Sequence, residues 1–90
     1  MRSFLASVNL FVDSTQTESV MAALAKISGV ERIYQVAGEY DIITLVRTST
    51  VEEFRDILQK QIAKINGVKS IITSIILKPH KGPESQKKYN

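Results

Sequence analysis

Ninety residues are enough for one hydrophobic core and too few for two, and 43% hydrophobic with 23% charged residues is the composition of a folded domain. With no cysteine in the chain, disulfides, thiolate metal sites and cysteine nucleophiles are excluded, and no apolar run approaches the roughly 20 residues of a membrane span. The net charge of +3 does not mark a phosphate-binding face: Lys78, Lys81, Lys87 and Lys88 against Glu84 account for it, and residues 1–77 balance acid with base.

Phe4 to Val12 reads as a strand, with Phe4, Ala6, Val8, Leu10 and Val12 on one face and Leu5, Ser7, Asn9 and Phe11 on the other. Thr15 with Glu18 three residues on is a capping box that starts a helix. Val20, Met21, Leu24 and Ile27 make its apolar stripe, and Gly29 ends it. Val30 to Val36 is the second strand. Val36-Ala37-Gly38-Glu39-Tyr40-Asp41 turns the chain, and Tyr40 to Arg47 returns as the third. Thr50 with Glu53 repeats the capping signature, followed by Val51, Phe54, Leu58, Ile62 and Ile65 at helical spacing and by Gly67 at the end. Val68 to Leu77 is the last strand, and Pro79 stops it because proline cannot donate to a ladder. The expected domain is 1–79, with 80–90 a flexible basic tail.

Ala25-Lys26-Ile27-Ser28-Gly29-Val30 returns as Ala63-Lys64-Ile65-Asn66-Gly67-Val68, each copy ending a helix and starting a strand. Two copies of one strand–helix–strand unit predict an α+β, ferredoxin-like βαββαβ fold: a four-stranded antiparallel sheet with both helices on one face. The other face should alternate with polar residues if it met water. Instead Ile43 and Leu45 in the third strand, and Ile72 and Ile76 in the last, extend the apolar character to both sides. A bare apolar sheet face marks an interface, so two copies are expected to pack sheet against sheet.

Catalytic chemistry finds little support. The one histidine, His80, falls in the tail, and Glu52 and Glu53 suit the first turn of a helix, where carboxylates favour the positive end of the dipole. No glycine-rich phosphate loop and no metal-ligand spacing occur. RNA-recognition modules share the strand–helix order but stack bases on aromatics of the central strands. Here those positions are Ile42, Ile43, Thr44, Leu45 and Val46. Direct nucleic-acid binding, a membrane role, cofactors and catalysis are therefore not expected. The N-terminus lacks a cleavable signal pattern, which makes the cytoplasm the expected location.

Val36-Ala37-Gly38-Glu39-Tyr40-Asp41-Ile42, then Gly67-Val68 and Thr73-Ser74-Ile75-Ile76-Leu77, resemble the effector-binding domain of the Lrp/AsnC feast/famine transcription regulators, known as the RAM module. The family has a hydrophobic–x–Gly–acidic–Tyr/Phe–Asp turn and a Gly-Val–four residues–Thr-Ser-Ile-Val-Leu run, and the likeness covers residues 3–80. It implies the same ferredoxin-like fold, homodimers joined through their sheets, assembly to tetramers or octamers, and an amino acid or small metabolite bound between dimers. Carried over, the ligand-binding candidates are Gly38, Tyr40 and Asp41 in the turn and Thr73 with Ser74 in the last strand. Gly38 would let backbone approach a ligand, Asp41 would pair with an α-ammonium, and Thr73 would bond a carboxylate or amide.

Two departures stand out. Ile71 replaces a threonine common in the family, and the chain begins at the first strand of the domain, where full regulators carry a helix-turn-helix. The resemblance is thus to a stand-alone module, acting through its own assembly or through a full-length Lrp/AsnC regulator. Asp41 reads equally as a turn residue, Thr73 as a β-former, and Tyr40 as core or interface. A purely structural oligomerisation protein with a vestigial pocket, and a small dimeric α+β barrel enzyme such as a monooxygenase, are the rival readings.

Overall fold

In the computed structural model, which describes residues 3–78, 80 and 81, the chain forms β1 (Phe4–Val12), α1 (Thr17–Ala25), β2 (Val30–Gln35), β3 (Ile42–Thr48), α2 (Val51–Ile57) and β4 (Val68–Ile75). The sheet runs β2-β3-β1-β4 and every neighbouring pair is antiparallel, as the sequence repeat predicts. Phe4 pairs with Thr48 and Leu10 with Ile42, so β1 and β3 form the centre of the sheet.

Alternation along these two strands decides which face is covered. Ala6, Val8, Leu10 and Val12 of β1, with Ile42, Thr44, Val46 and Thr48 of β3, are buried under the helices. Val20, Leu24 and Ile27 close over them from α1, and Phe54, Ile57 and Ile62 from α2 and its extension. Each fully buried leucine or isoleucine here contributes about 1.5–3 kcal/mol by leaving water. The two threonines keep their hydroxyls satisfied, Thr44 Oγ1 donating to the Arg32 carbonyl at 2.6 Å and Thr48 Oγ1 to that of Thr50 at 2.7 Å.

Several local expectations change. The expected Thr15 cap is replaced by Asp13, which caps the turn ahead of the first helix: Asp13 Oδ1 accepts from the Thr15 amide at 2.9 Å and the Thr15 hydroxyl at 2.7 Å. A single 3₁₀ turn over Ser14–Gln16 then leads into α1. An aspartate two residues ahead of the threonine accepts both hydrogens and so displaces the capping box. The second cap forms with one partner shifted: Thr50 Oγ1 accepts from the Glu53 amide at 3.1 Å, and Glu53 Oε1 accepts from the amide of Ser49, one residue before the cap, at 2.7 Å. Beyond Ile57, α2 widens into a π-helical turn over Leu58–Ile62, with the Ala63 amide bonded to the Leu58 carbonyl five residues back at 2.8 Å. The wider turn puts Ile57 and Ile62 on one face, whereas Val51, expected in the stripe, is 41% exposed. The strands β2 and β4 end sooner than expected, at Gln35 and Ile75. The expected tail over 80–90 falls largely on residues outside those described.

The internal repeat has a structural counterpart. Gly29 and Gly67 adopt φ values of 100° and 103°, a region that side chains rarely enter. The Gly29 carbonyl accepts from Arg47 near the end of β3, and the Gly67 carbonyl from Asp13 just after β1, both at 2.8 Å. Each half-unit is thus closed on the other.

A Cβ at Gly67 would lie 2.9 Å from Gln16 Cβ, and one at Gly29 3.1 Å from the Arg47 carbonyl oxygen. Gly29→Ala and Gly67→Ala are each expected to destabilise by about 1–3 kcal/mol in urea denaturation at fixed protein concentration. The Asp13 carboxyl is held below its ordinary 3.8, first by the Thr15 hydroxyl and then by the Thr15 amide. Its folded value is depressed, so its stabilisation is present above pH 3.8 and fades as pH falls through the folded value; an NMR titration should place its midpoint below 3.8.

Candidate functional site

The turn between β2 and β3 is closed by the Val36 amide donating to the Asp41 carbonyl at 3.0 Å. It is also bound to the far end of β1. The β1–β3 ladder stops at Leu10 opposite Ile42. One residue past that rung the Asp41 amide donates to the Leu10 carbonyl at 3.0 Å, and Asp41 Oδ2 accepts from the Val12 amide at 2.9 Å. A side-chain carboxylate therefore takes the place of the next backbone acceptor. The Tyr40 ring packs against Phe11 with centroids 5.3 Å apart, which fixes the same junction from the apolar side. Gly38 lies exposed at the tip, and a Cβ there would meet nothing within 4 Å.

Of the five candidate residues, three thus sit together: Gly38, Tyr40 and Asp41. Asp41 is a structural clamp whose Oδ2 is already engaged, and Tyr40 is half-buried against β1. Thr73 and Ser74 lie on the edge strand β4, across β1 from the turn. Thr73 pairs with Val8 and so points to the helix side; Ser74 pairs with Ser7 and points to the open side. Both are exposed, because the helices cover the central strands and leave the second half of β4 bare. Two strand spacings, about 10 Å, separate the turn from β4. Within one chain the five residues do not converge.

A cavity of about 310 Å³ opens elsewhere, at the end of the sheet where Ser28 and Gly29 meet Thr48 and α2. Glu53, Asp56 and Gln61 line it, with Arg47 and Ile57. Its two carboxylates are both engaged: Glu53 accepts the Ser49 amide, and Asp56 pairs with Lys60 at 3.2 Å. None of the five candidates touches it. The sequence carried only an indirect signal for this place, the capping pair Thr50–Glu53 and the helix-ending Gly29. Among the described residues no group of three or more histidines and carboxylates could hold a metal, and His80 is exposed beyond β4. No helix among them is long and apolar enough to cross a membrane.

On the open face, the residues lie where the alternation places them. Leu5, Phe11, Ile43 and Leu45 are half-buried, Tyr34 is 50% and Ile72 46% exposed, and all stand opposite the helix layer. Arg47, also on this side, holds Glu31 and Ser3 at the rim, each at 2.7 Å.

Comparison with known proteins gives a family match and a consistent fold. The model of the Lrp/AsnC ligand binding domain matches residues 5–85. An HTH-type transcriptional regulator FL11 of Pyrococcus horikoshii is 34% identical over 79 residues, which are 88% of this chain and 52% of the regulator. The chain thus spans about half the length of these regulators. A homocitrate synthase of Sulfolobus acidocaldarius is 34% identical over 77 residues, 84% of this chain but 16% of that enzyme. Among solved structures, a protein from Thermus thermophilus superimposes with a TM-score of 0.82 at 26% identity, covering 88% of this chain and 99% of that one. A feast or famine regulatory protein from M. tuberculosis, complexed with L-methionine, does so with a TM-score of 0.73 at 31% identity, covering 88% of this chain and 53% of that one.

Asp41→Ala removes the acceptor of the Val12 amide. It is expected to destabilise the fold by about 1–3 kcal/mol, with Asp41→Asn, which keeps one oxygen acceptor, closer to the parent in thermal and urea melts.

Proposed function

The chain belongs to the Lrp/AsnC ligand-binding domain family, and from that premise we propose that it is an oligomeric regulatory module that binds an amino acid or a related small metabolite. The observation that carries this reading is the family match over residues 5–85, joined to a 31% identical relative complexed with L-methionine. The exposed turn and the bare half of β4 fit it. Gly38 and the second oxygen of Asp41 are open at one end of β1, and Thr73 at the uncovered edge. Since they do not meet within one chain, a pocket using both requires another copy, and ligand binding then becomes coupled to assembly by linkage.

In this reading two copies close their open sheet faces, and the dimers associate further with the turns and the β4 edges at the contact. The ligand shifts that assembly, and the module acts through it or by joining a regulator of its own family. Its setting is the cytoplasm, residues 1–79 are the working domain and 80–90 an appendage, and no catalysis is required. The homocitrate synthase relative supports a domain that can also accompany an enzyme, since the likeness spans 16% of that protein.

One observation favours a second reading, a structural oligomerisation module without ligand. Ile71 stands where the resemblance leads one to expect a threonine, and the Asp41 carboxylate is already committed to the Val12 amide.

Gel filtration at micromolar concentration should give a dimer or larger; a compact monomer removes the face-to-face assembly. Calorimetric titration with the common amino acids, L-methionine among them, should give binding at or below millimolar concentration together with a change in oligomer size. Thr73→Val separates the two readings, because Thr73 is exposed and its loss should move stability by no more than about 0.5 kcal/mol. The ligand reading expects affinity to fall about fivefold or more; unchanged affinity removes Thr73 from the pocket, and no binding by the parent leaves the structural module.

A further inference from the structure

The middle of the open face holds a group that apolar packing alone does not call for. β1 is a central strand, so Ser7 and Asn9 lie at the centre of that face, between Ile43 and Leu45 of β3 and Ile72 and Ser74 of β4. Asn9 is only 9% exposed although no helix or strand among the described residues lies over the face. Its Oδ1 accepts from the Ser7 hydroxyl at 3.0 Å, which orients the carboxamide, while its Nδ2 has no acceptor among the described residues. Placing a second sheet over this point would leave two N–H donors without water, an arrangement that disfavours association unless the opposing surface supplies an acceptor.

The composition of a carboxamide says what that surface is. It carries acceptor and donor side by side, so across a two-fold axis it is complementary to a copy of itself. An apolar sheet offers no acceptor. Where two like faces pair about a two-fold axis, the centre of one meets the centre of the other. Resting on the face-to-face dimer proposed above, we propose that Asn9, oriented by Ser7, is the pairing key of that dimer: its Nδ2 donates to the carboxamide oxygen of the same residue in a second copy. A single polar group in an otherwise apolar seam fixes register and partner at some cost in affinity. The key therefore admits a second copy of this chain, or a relative that presents a hydrogen-bonding group at the same point, and rejects an open-faced module that is apolar there.

Native mass spectrometry of mixtures tests this, with one component carrying a mass tag and subunits allowed to exchange. Parent with tagged parent should give the statistical proportion of mixed dimers. Asn9→Leu should still form its own dimers, but mixed dimers with the parent should fall about tenfold, because the parent amide then faces leucine. Asn9→Asp should pair poorly with itself, through like charges at the axis, yet form mixed dimers with the parent, whose Nδ2 donates to the carboxylate. Circular dichroism of each variant checks that it is folded. With the parent dimeric, statistical mixing of Asn9→Leu with the parent, or Asn9→Asp forming its own dimers as readily as the parent does, overturns the key and leaves the dimer standing. A parent that is monomeric overturns the dimer itself.

Discussion

The antiparallel pairing of β1 with β3 joins the two copies of one strand–helix–strand unit, and the other elements take their positions from it. Burying Ala6, Val8 and Leu10 against Ile42, Thr44 and Val46 on one side of those strands commits the opposite side chains to the open face. The period of two allows no intermediate choice. The two helix-ending glycines complete the constraint. The carbonyl of Gly29 is held from β3 and that of Gly67 from the end of β1, so neither half-unit closes its helix–strand corner without the other. Repetition in sequence has become reciprocity in structure.

The same constraint explains why the candidate ligand turn is also a structural joint. Past the last β1–β3 rung the strands diverge, and Asp41 supplies the acceptor that backbone no longer can. A residue at such a place has one oxygen for the fold and one for whatever meets the turn. The engaged oxygen of Asp41 ties the turn to the end of β1. Thr73, exposed on the edge strand, lacks such a tie.

The two sides of the sheet do different work. The helix side is closed over the central strands, where the hydroxyls of Thr44 and Thr48 are satisfied internally. The open side carries apolar residues with a hydrogen-bonded Ser7–Asn9 pair at its centre, whose amide has donors to spare. The first side explains why the chain folds; the second leaves it an apolar surface with hydrogen-bonding capacity at its centre.

Much of this was legible from the residues. The echo around Gly29 and Gly67, the alternation in β1 and β3 and the Thr50–Glu53 cap specify elements whose physics is local: periodicity, capping and positive φ. Local physics also led to errors, as when Asp13 took the capping position expected of Thr15, or when Ile57 joined the buried stripe and Val51, at the start of its helix, stayed exposed. Gly38, Tyr40 and Asp41 sit together because they are neighbours in sequence. What only the tertiary structure decided was long-range. Asp41 reaches Val12 across 29 residues, and Thr73 and Ser74 point to opposite faces of an edge strand. Asn9 is buried in the middle of an uncovered face. Each of these depends on which strands become neighbours, and strand order is set by the packing of the whole sheet rather than by any window of the sequence.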